Sequence, residues 1–215
     1  MKNTALYLLI FLAALLTPVH ASSVDDATSH SEKIILGSGC FWGAEKGYEA
    51  MPGVIDAVSG YADGNGVRPT YREITKLKNK FNVNNHAEVV EVTYNTNLIS
   101  TEELLMHYFE SHDPTQINKQ GNDVGTQYRS IILYSTDQQK QAVDQVLGSY
   151  QGLLTAAGYG EIATLVKPIQ KFYKAEKYHQ DYIAKNPNGY CPDHSTGVRF
   201  ARSDKSPAQD NSKIA

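Results

Sequence analysis

The stretch from Lys33 to Gly43 restricts the possible folds more than any other part of the chain. Lys33-Ile34-Ile35-Leu36 is a short apolar run with no polar alternation, the pattern of a strand buried on both faces. It stops at Gly37-Ser38-Gly39, and Trp42 to Ala50 then reads as a helix closed by Pro52-Gly53. A buried strand, a glycine turn and a helix in immediate succession make this a mixed α and β chain. The junction also places Cys40 where a helix begins, and free amide N–H groups and the helix dipole favour an anion there. Because the thiolate is the reactive form, such a position predicts a thiol pKa drawn from about 8.5 toward neutrality. Phe41 and Trp42, the only tryptophan, follow directly and can line an apolar pocket beside the sulfur. A core cysteine among core aromatics is the alternative.

The remaining elements can be read the same way. Val54 to Tyr61 is a second strand, Ala62 to Gly66 a loop, and His86 to Tyr94 a β-branched strand. Ser100 with Glu103 forms a capping box before a helix whose apolar face is Leu104, Leu105, Tyr108 and Phe109. Tyr128 to Tyr134 is the next strand. Thr136 and Gln139 then cap a longer helix carrying Val143, Val146, Leu147, Tyr150 and Leu154 at helical spacing. Ile162 to Val166 is an edge strand ended by Pro168, and Lys174 to Lys185 is a last helix stopped before Pro187. The order β-α-β-β-α-β predicts an α+β domain, a ferredoxin-like split βαβ two-layer sandwich with additional C-terminal helices and a long C-terminal loop.

The ends of the chain read differently from the domain between them. Met1-Lys2, an apolar run from Leu6 to Leu16, Thr17-Pro18 and the small-residue site Val19-His20-Ala21 have the layout of a secretory signal peptide over residues 1–21. The apolar run is shorter than the ~20 residues that span a bilayer, so no stable membrane insertion is expected after cleavage. Residues 22–32 are a flexible lead-in, 33–200 the folded domain, and 201–215 a polar tail predicted to be disordered. The protein is therefore expected to be exported, with the periplasm as its preferred address. In an oxidising compartment two cysteines, here Cys40 and Cys191, commonly form one structural disulfide. Among 215 residues the formal net charge is −3 and the basic residues are scattered, which argues against a nucleic-acid partner.

Other segments carry side chains suited to chemistry. In His86-Ala87-Glu88-Val89-Val90-Glu91-Val92, strand alternation puts Glu88 on one face with Val90, Val92 and Tyr94. Buried there, a carboxyl would keep its proton near neutral pH and could act as a general acid. At a strand end in water it would do neither. Gly121-Asn122-Asp123-Val124-Gly125-Thr126-Gln127-Tyr128-Arg129-Ser130 is a glycine-bearing loop entering a strand, and Gly189-Tyr190-Cys191-Pro192 is a late loop. The seven histidines show no metal-ligand spacing, so no metal is expected. His179 reads as a surface or packing residue.

Taken in order, Gly39-Cys40-Phe41-Trp42-Gly43, Thr70-Tyr71-Arg72-Glu73, His86-Ala87-Glu88, Gly121-Asn122-Asp123, Gly125 to Ser130 and Gly189-Tyr190-Cys191 resemble the peptide-methionine (S)-S-oxide reductase family, MsrA. The resemblance runs from Lys33 to Phe200. It implies that Cys40 attacks the sulfoxide sulfur, that Glu88 supplies the proton, and that Tyr71 and Tyr128 hydrogen-bond the oxygen. It further implies that Phe41 and Trp42 hold the methyl group and that Asp123 positions the substrate. Cys40 would become a sulfenic acid, resolved by Cys191 as a disulfide. No cofactor is implied beyond an external thioredoxin-like or thiol reductant, and the substrates implied are oxidised proteins or peptides carrying methionine sulfoxide. Two departures stand out. Lys76 to Asn85 is longer than the family's usual link, and no further recycling cysteine follows Cys191. Two rivals are a secreted binding domain stapled by Cys40–Cys191 and a thiol peroxidase.

Overall fold

A strand with apolar side chains on both faces has no side to show to water, and the first strand, β1 (Ser31–Ser38), lies inside the sheet. The computed structural model describes residues 30–201; the signal peptide, residues 22–29 of the lead-in and residues 202–215 of the tail lie outside the described residues. The sheet is built on β1, β2 (Val54–Ala62), β3 (Ala87–Asn95) and β6 (Ser130–Tyr134). β4 (Lys119–Gln120) and β5 (Asp123–Val124) form a separate hairpin, while β7 (Leu165–Pro168) and β8 (Phe172–Lys174) are the sheet edges. The order across the six-stranded sheet is β7-β6-β1-β3-β2-β8, antiparallel throughout except for the parallel β6–β7 pair.

Alternation along β1 sends Ile34 and Leu36 to one face and Ile35 to the other. The first face, with Val90, Val92 and Ile132, forms the main core beneath helices α1 (Phe41–Glu49), α3 (Thr101–Glu110) and α4 (Asp137–Ala156). The second face, with Ala87, Val89, Ile131 and Leu133, is smaller and is covered by Ile169 and Phe172. Between β2 and β3 lie α2 (Tyr71–Ile74) and a 3₁₀ turn at Leu77–Asn79. Both predicted caps form: Ser100 and Glu103 close a reciprocal capping box, and Thr136 accepts from the Gln139 N–H.

Some boundaries differ from the sequence reading, each for a tertiary reason. Ser31 and Glu32, read as lead-in, pair with Asn95 and Tyr94 as the first residues of β1. Tyr128 is not in β6 but in a 3₁₀ turn, Thr126–Tyr128, because the Thr126 N–H donates to the Lys80 carbonyl at 2.8 Å. The edge strand starts at Leu165 rather than Ile162, since Ile162 and Ala163 spend their N–H groups on Gln151 Oε1 and the Pro114 carbonyl. The largest correction concerns Lys174 to Lys185. Lys174 ends β8, and only α5 (Tyr182–Lys185) is helical. Between them the Ala175 N–H bonds the Ser59 carbonyl, and Asp181 adopts a left-handed φ of 51° while donating to Glu45 Oε2. These cross-chain bonds outweigh a helical propensity worth only tenths of a kcal/mol per residue.

Candidate active site

The turn between β1 and α1 gives the sulfur its position. Gly39 has φ of +102°, and a Cβ there would meet the Gln120 side chain at 2.7 Å, so the tight passage requires glycine. The Tyr108 hydroxyl, donating to the Gly37 carbonyl at 3.1 Å, fixes the turn from α3. Cys40 occupies the N-cap with extended backbone, its thiol free and half-buried. Burial pushes this thiol well above its ordinary value and the nearby Glu88 carboxylate pushes it further, while the Trp42 N–H acts the other way. Burial thus opposes the lowering expected from the sequence for a thiol at a helix N-terminus.

Glu88 opposes Tyr61 across the β2–β3 ladder and is 1% exposed, which settles the choice between core and solvent in favour of the core. Its Oε2 accepts from the Phe41 N–H at 3.3 Å, and its Oε1 has no partner. Burial pushes the carboxyl up to about 8, with the Asp123 charge adding and the Phe41 N–H subtracting. Glu88 thus carries a proton at neutral pH, which also removes its like-charge effect on Cys40.

A cavity of about 160 Å³ is lined by Cys40, Phe41, Trp42, Tyr71, Glu88, Asp123, Tyr128 and Tyr190. The phenols of Tyr71 and Tyr128 are raised by burial and then by Glu88, so both remain hydrogen-bond donors. Tyr71 starts α2, where its N–H donates to Glu176 Oε1 at 2.9 Å, and Glu176 Oε2 accepts from Tyr61 at 2.7 Å. Trp42 stacks on Tyr182 at 3.8 Å and donates its indole N–H to His179 Nδ1 at 3.0 Å. Buried His179 also packs on Phe41 and Tyr71, so its role in the structure is to hold these rings in place.

The second cysteine lies next to this cavity rather than inside it. Cys191 is exposed and free, and shares with Cys40 a neighbouring cavity of about 270 Å³ that also includes Gly43 and His194. A Cβ on Gly43 would fall 3.0 Å from Cys191 Sγ, so the absence of a side chain one turn into α1 leaves room for the second sulfur. The loop bearing Cys191 reaches Asp123 from both sides: Tyr190 donates to Oδ1 at 3.2 Å, and His194 Nε2 lies 3.8 Å from Oδ2.

The structure therefore brings Cys40, Phe41, Trp42, Tyr71, Glu88, Asp123 and Tyr128 to one cavity and sets Cys191 against its neighbour. Sequence reading missed Tyr190, whose only signal was its place beside Cys191. It also missed Glu176 and Tyr182, for which no local signal existed. Among the described residues no group of three or more His, Cys, Asp or Glu could hold a metal ion, and no helix is long and apolar enough to cross a membrane.

The chain is similar to known proteins along most of its length. A family model described as peptide methionine sulfoxide reductase matches residues 32–210. The peptide methionine sulfoxide reductase MsrA of Corynebacterium kroppenstedtii is 46% identical over 170 residues, covering 77% of this chain and 75% of that protein. The solved methionine sulfoxide reductase A of Corynebacterium diphtheriae superposes with a TM-score of 0.70 at 44% identity, over 79% of this chain and 81% of that one. Mxr1 from Saccharomyces cerevisiae, solved in complex with Trx2, gives a TM-score of 0.51 at 27% identity, over 80% of this chain and 92% of that one.

Proposed function

The chain belongs to the peptide methionine sulfoxide reductase family, and we propose that within it Cys40 is the nucleophile, Glu88 the acid and Cys191 the resolving thiol. The chain reduces methionine sulfoxide to methionine; the roles follow from where the groups sit. Cys40 sulfur bonds to the sulfoxide sulfur. Glu88 gives its proton to the oxygen and takes the thiol proton in exchange. Tyr71 and Tyr128 donate to the same oxygen as charge builds on it. The oxygen then passes from the methionine sulfur to Cys40 as the S–O bond and the transient Cys40–methionine S–S bond both break, leaving a Cys40 sulfenic acid and methionine, so no net proton is consumed. The Cys191 thiol then attacks Cys40 sulfur and water departs, leaving a Cys40–Cys191 disulfide. Two reductant thiols reopen it.

The observation that carries this reading is the convergence of a thiol, a protonated carboxyl and two phenols on one cavity walled by Phe41 and Trp42. The aromatic wall is suited to the methyl group and to selecting the S epimer, while Asp123 at the rim is suited to positioning the rest of the substrate. A thioredoxin-like protein is the proposed donor, on the analogy of Mxr1 bound to Trx2. No prosthetic group has a part in this scheme. The antiparallel order β6-β1-β3-β2 supports describing the inner sheet as a ferredoxin-like split βαβ unit. The pattern of Met1 to Ala21 supports export, with the periplasm as destination.

Dithiothreitol-driven turnover of the separated S and R epimers of dabsyl-methionine sulfoxide tests the reading. Turnover of the S epimer alone, abolished in Cys40→Ser, is the expected result. Peroxide consumption without sulfoxide turnover would assign the site to a thiol peroxidase instead.

A further inference from the structure

Beside the catalytic cavity lies a second, more open groove that the chemistry above does not use. Its volume is about 370 Å³, and it is lined by Tyr71, Thr75, Leu77, Lys80, the 122–124 segment, Gln127 and Tyr128. Tyr71, Asp123 and Tyr128 belong to both spaces, so the groove continues directly from the place where the sulfoxide is reduced.

One wall comes from Lys76 to Asn85, the segment whose length set this chain apart, and it is firmly held. The Lys80 carbonyl accepts from the Thr126 N–H at 2.8 Å, Thr126 Oγ1 donates to the Asn79 carbonyl at 3.1 Å, and buried Asn85 donates to the Ile74 carbonyl at 2.9 Å. This pinned segment nevertheless turns large apolar side chains outward. Leu77 is 85% exposed at the groove itself, and Phe81 is 70% exposed farther along. Val124, also exposed, lines the same groove. A fixed segment that presents apolar side chains to water beside an active site is a recognition surface.

Lys76 and Lys78 are paired with Glu73, whereas Lys80 makes no ion pair among the described residues and lies 5.6 Å from the centre of the Phe81 ring.

We propose that this groove binds the polypeptide flanking the methionine sulfoxide, with Leu77 and Val124 gripping an apolar side chain and Lys80 favouring an acidic one. The proposal rests on the reductase reading and adds a substrate class to it: methionine sulfoxide in exposed segments that carry apolar and acidic neighbours, in preference to the isolated amino acid.

The test compares two substrates in the same dithiothreitol assay. One is N-acetyl-methionine-S-sulfoxide methylamide, which fills only the catalytic cavity. The other is a peptide with Leu and Asp on both sides of the methionine S-sulfoxide. Leu77→Ser should raise KM for the peptide at least about fivefold, the lower range for a lost apolar contact. Lys80→Glu should raise it about two- to fivefold, and should lower it when Lys replaces Asp in the peptide. Neither variant should alter kcat/KM for the small substrate. Equal effects on both substrates, or none on the peptide, would overturn the groove assignment while leaving the reductase intact. If the unsubstituted protein reduces neither substrate, the reductase reading itself falls and takes the groove proposal with it.

Discussion

At the residue scale, two side chains make the chemistry testable. A carboxyl pushed up to about 8 by burial keeps its proton below that pH and loses it above. If Glu88 is the acid, single-turnover reduction should fall as pH rises through about 8. Glu88→Gln should slow that step about 100-fold or more, the usual scale of a general acid, with the thiol still titratable. A flat pH profile and a wild-type rate in the variant would remove Glu88 from the role. The same shift acts on stability. The folded pKa exceeds the unfolded one of about 4.3, so the contribution is complete below that value and is lost as pH rises through about 8. Glu88→Gln should remove this component of the urea-midpoint profile between those limits. Gly43 gives the second test. Alanine is the better helix former by about 1 kcal/mol, so Gly43→Ala should hold or raise stability. Its methyl group would nevertheless displace Cys191 Sγ from a 3.0 Å approach. Disulfide formation after the first turnover should slow at least about tenfold, since displacements near an ångström can cost more than that. Methionine release in that turnover should keep its rate. Cys40 was legible in the sequence because it sits at a strand–glycine–helix junction, and Glu88 because its segment resembles a family motif, the period-2 strand alone leaving its burial open. The thiol pKa was not, because the desolvation that raises it comes from chain segments far away in sequence.

At the element scale, the strands and capped helices were legible to within a few residues, because apolar periodicity and caps are local signals. What failed was Lys174 to Lys185, where the backbone is committed to distant partners. Glu45 shows the cause. Buried on α1 at 1% exposure, it accepts from the Ser59 N–H of β2 at 3.1 Å and from the Asp181 N–H at 2.8 Å. One carboxyl group thereby holds together α1, the sheet and the turn that carries His179 and Tyr182. Glu45→Ala leaves both donors without their acceptor and should destabilise the protein by about 2–4 kcal/mol in urea unfolding. Glu45→Gln keeps one acceptor oxygen and should fall between the two. An unchanged midpoint in Glu45→Ala would show that the turn stands without it. Since the same turn supports Trp42 and Tyr71, the alanine variant should also weaken substrate binding at temperatures where it remains folded.

At the scale of the whole molecule, the site is assembled from segments that no sequence window contains. Cys40 and Cys191 stand at opposite ends of the folded region, and the loop bearing Cys191 is anchored by residues 196–200 on its C-terminal side. The Phe200 N–H donates to Glu110 Oε1 at 2.8 Å, Arg199 donates to the Glu110 carbonyl, and the Tyr150 hydroxyl donates to the Val198 carbonyl at 3.1 Å. Tyr159 adds a bond to the Thr196 carbonyl at 2.9 Å. The chain beyond Cys191 is thus strapped across α3 and α4. This places Cys191, the proposed resolving cysteine, on a short loop with a fixed far end rather than on a free tail, which sequence alone read only as a late loop. Loosening the strap should therefore act on resolution and not on sulfoxide reduction. In an Arg199→Ala, Tyr150→Phe double variant, each lost hydrogen bond costs about 1 kcal/mol. Quenched single turnovers should show methionine released at the wild-type rate, while loss of the Cys191 thiol lags severalfold as the loop samples more positions. If thiol loss keeps pace with methionine release, the contacts at Gly43 and Asp123 alone hold Cys191 in reach. If methionine release slows equally, the strap supports the catalytic cavity itself, and the two steps share one mechanical frame.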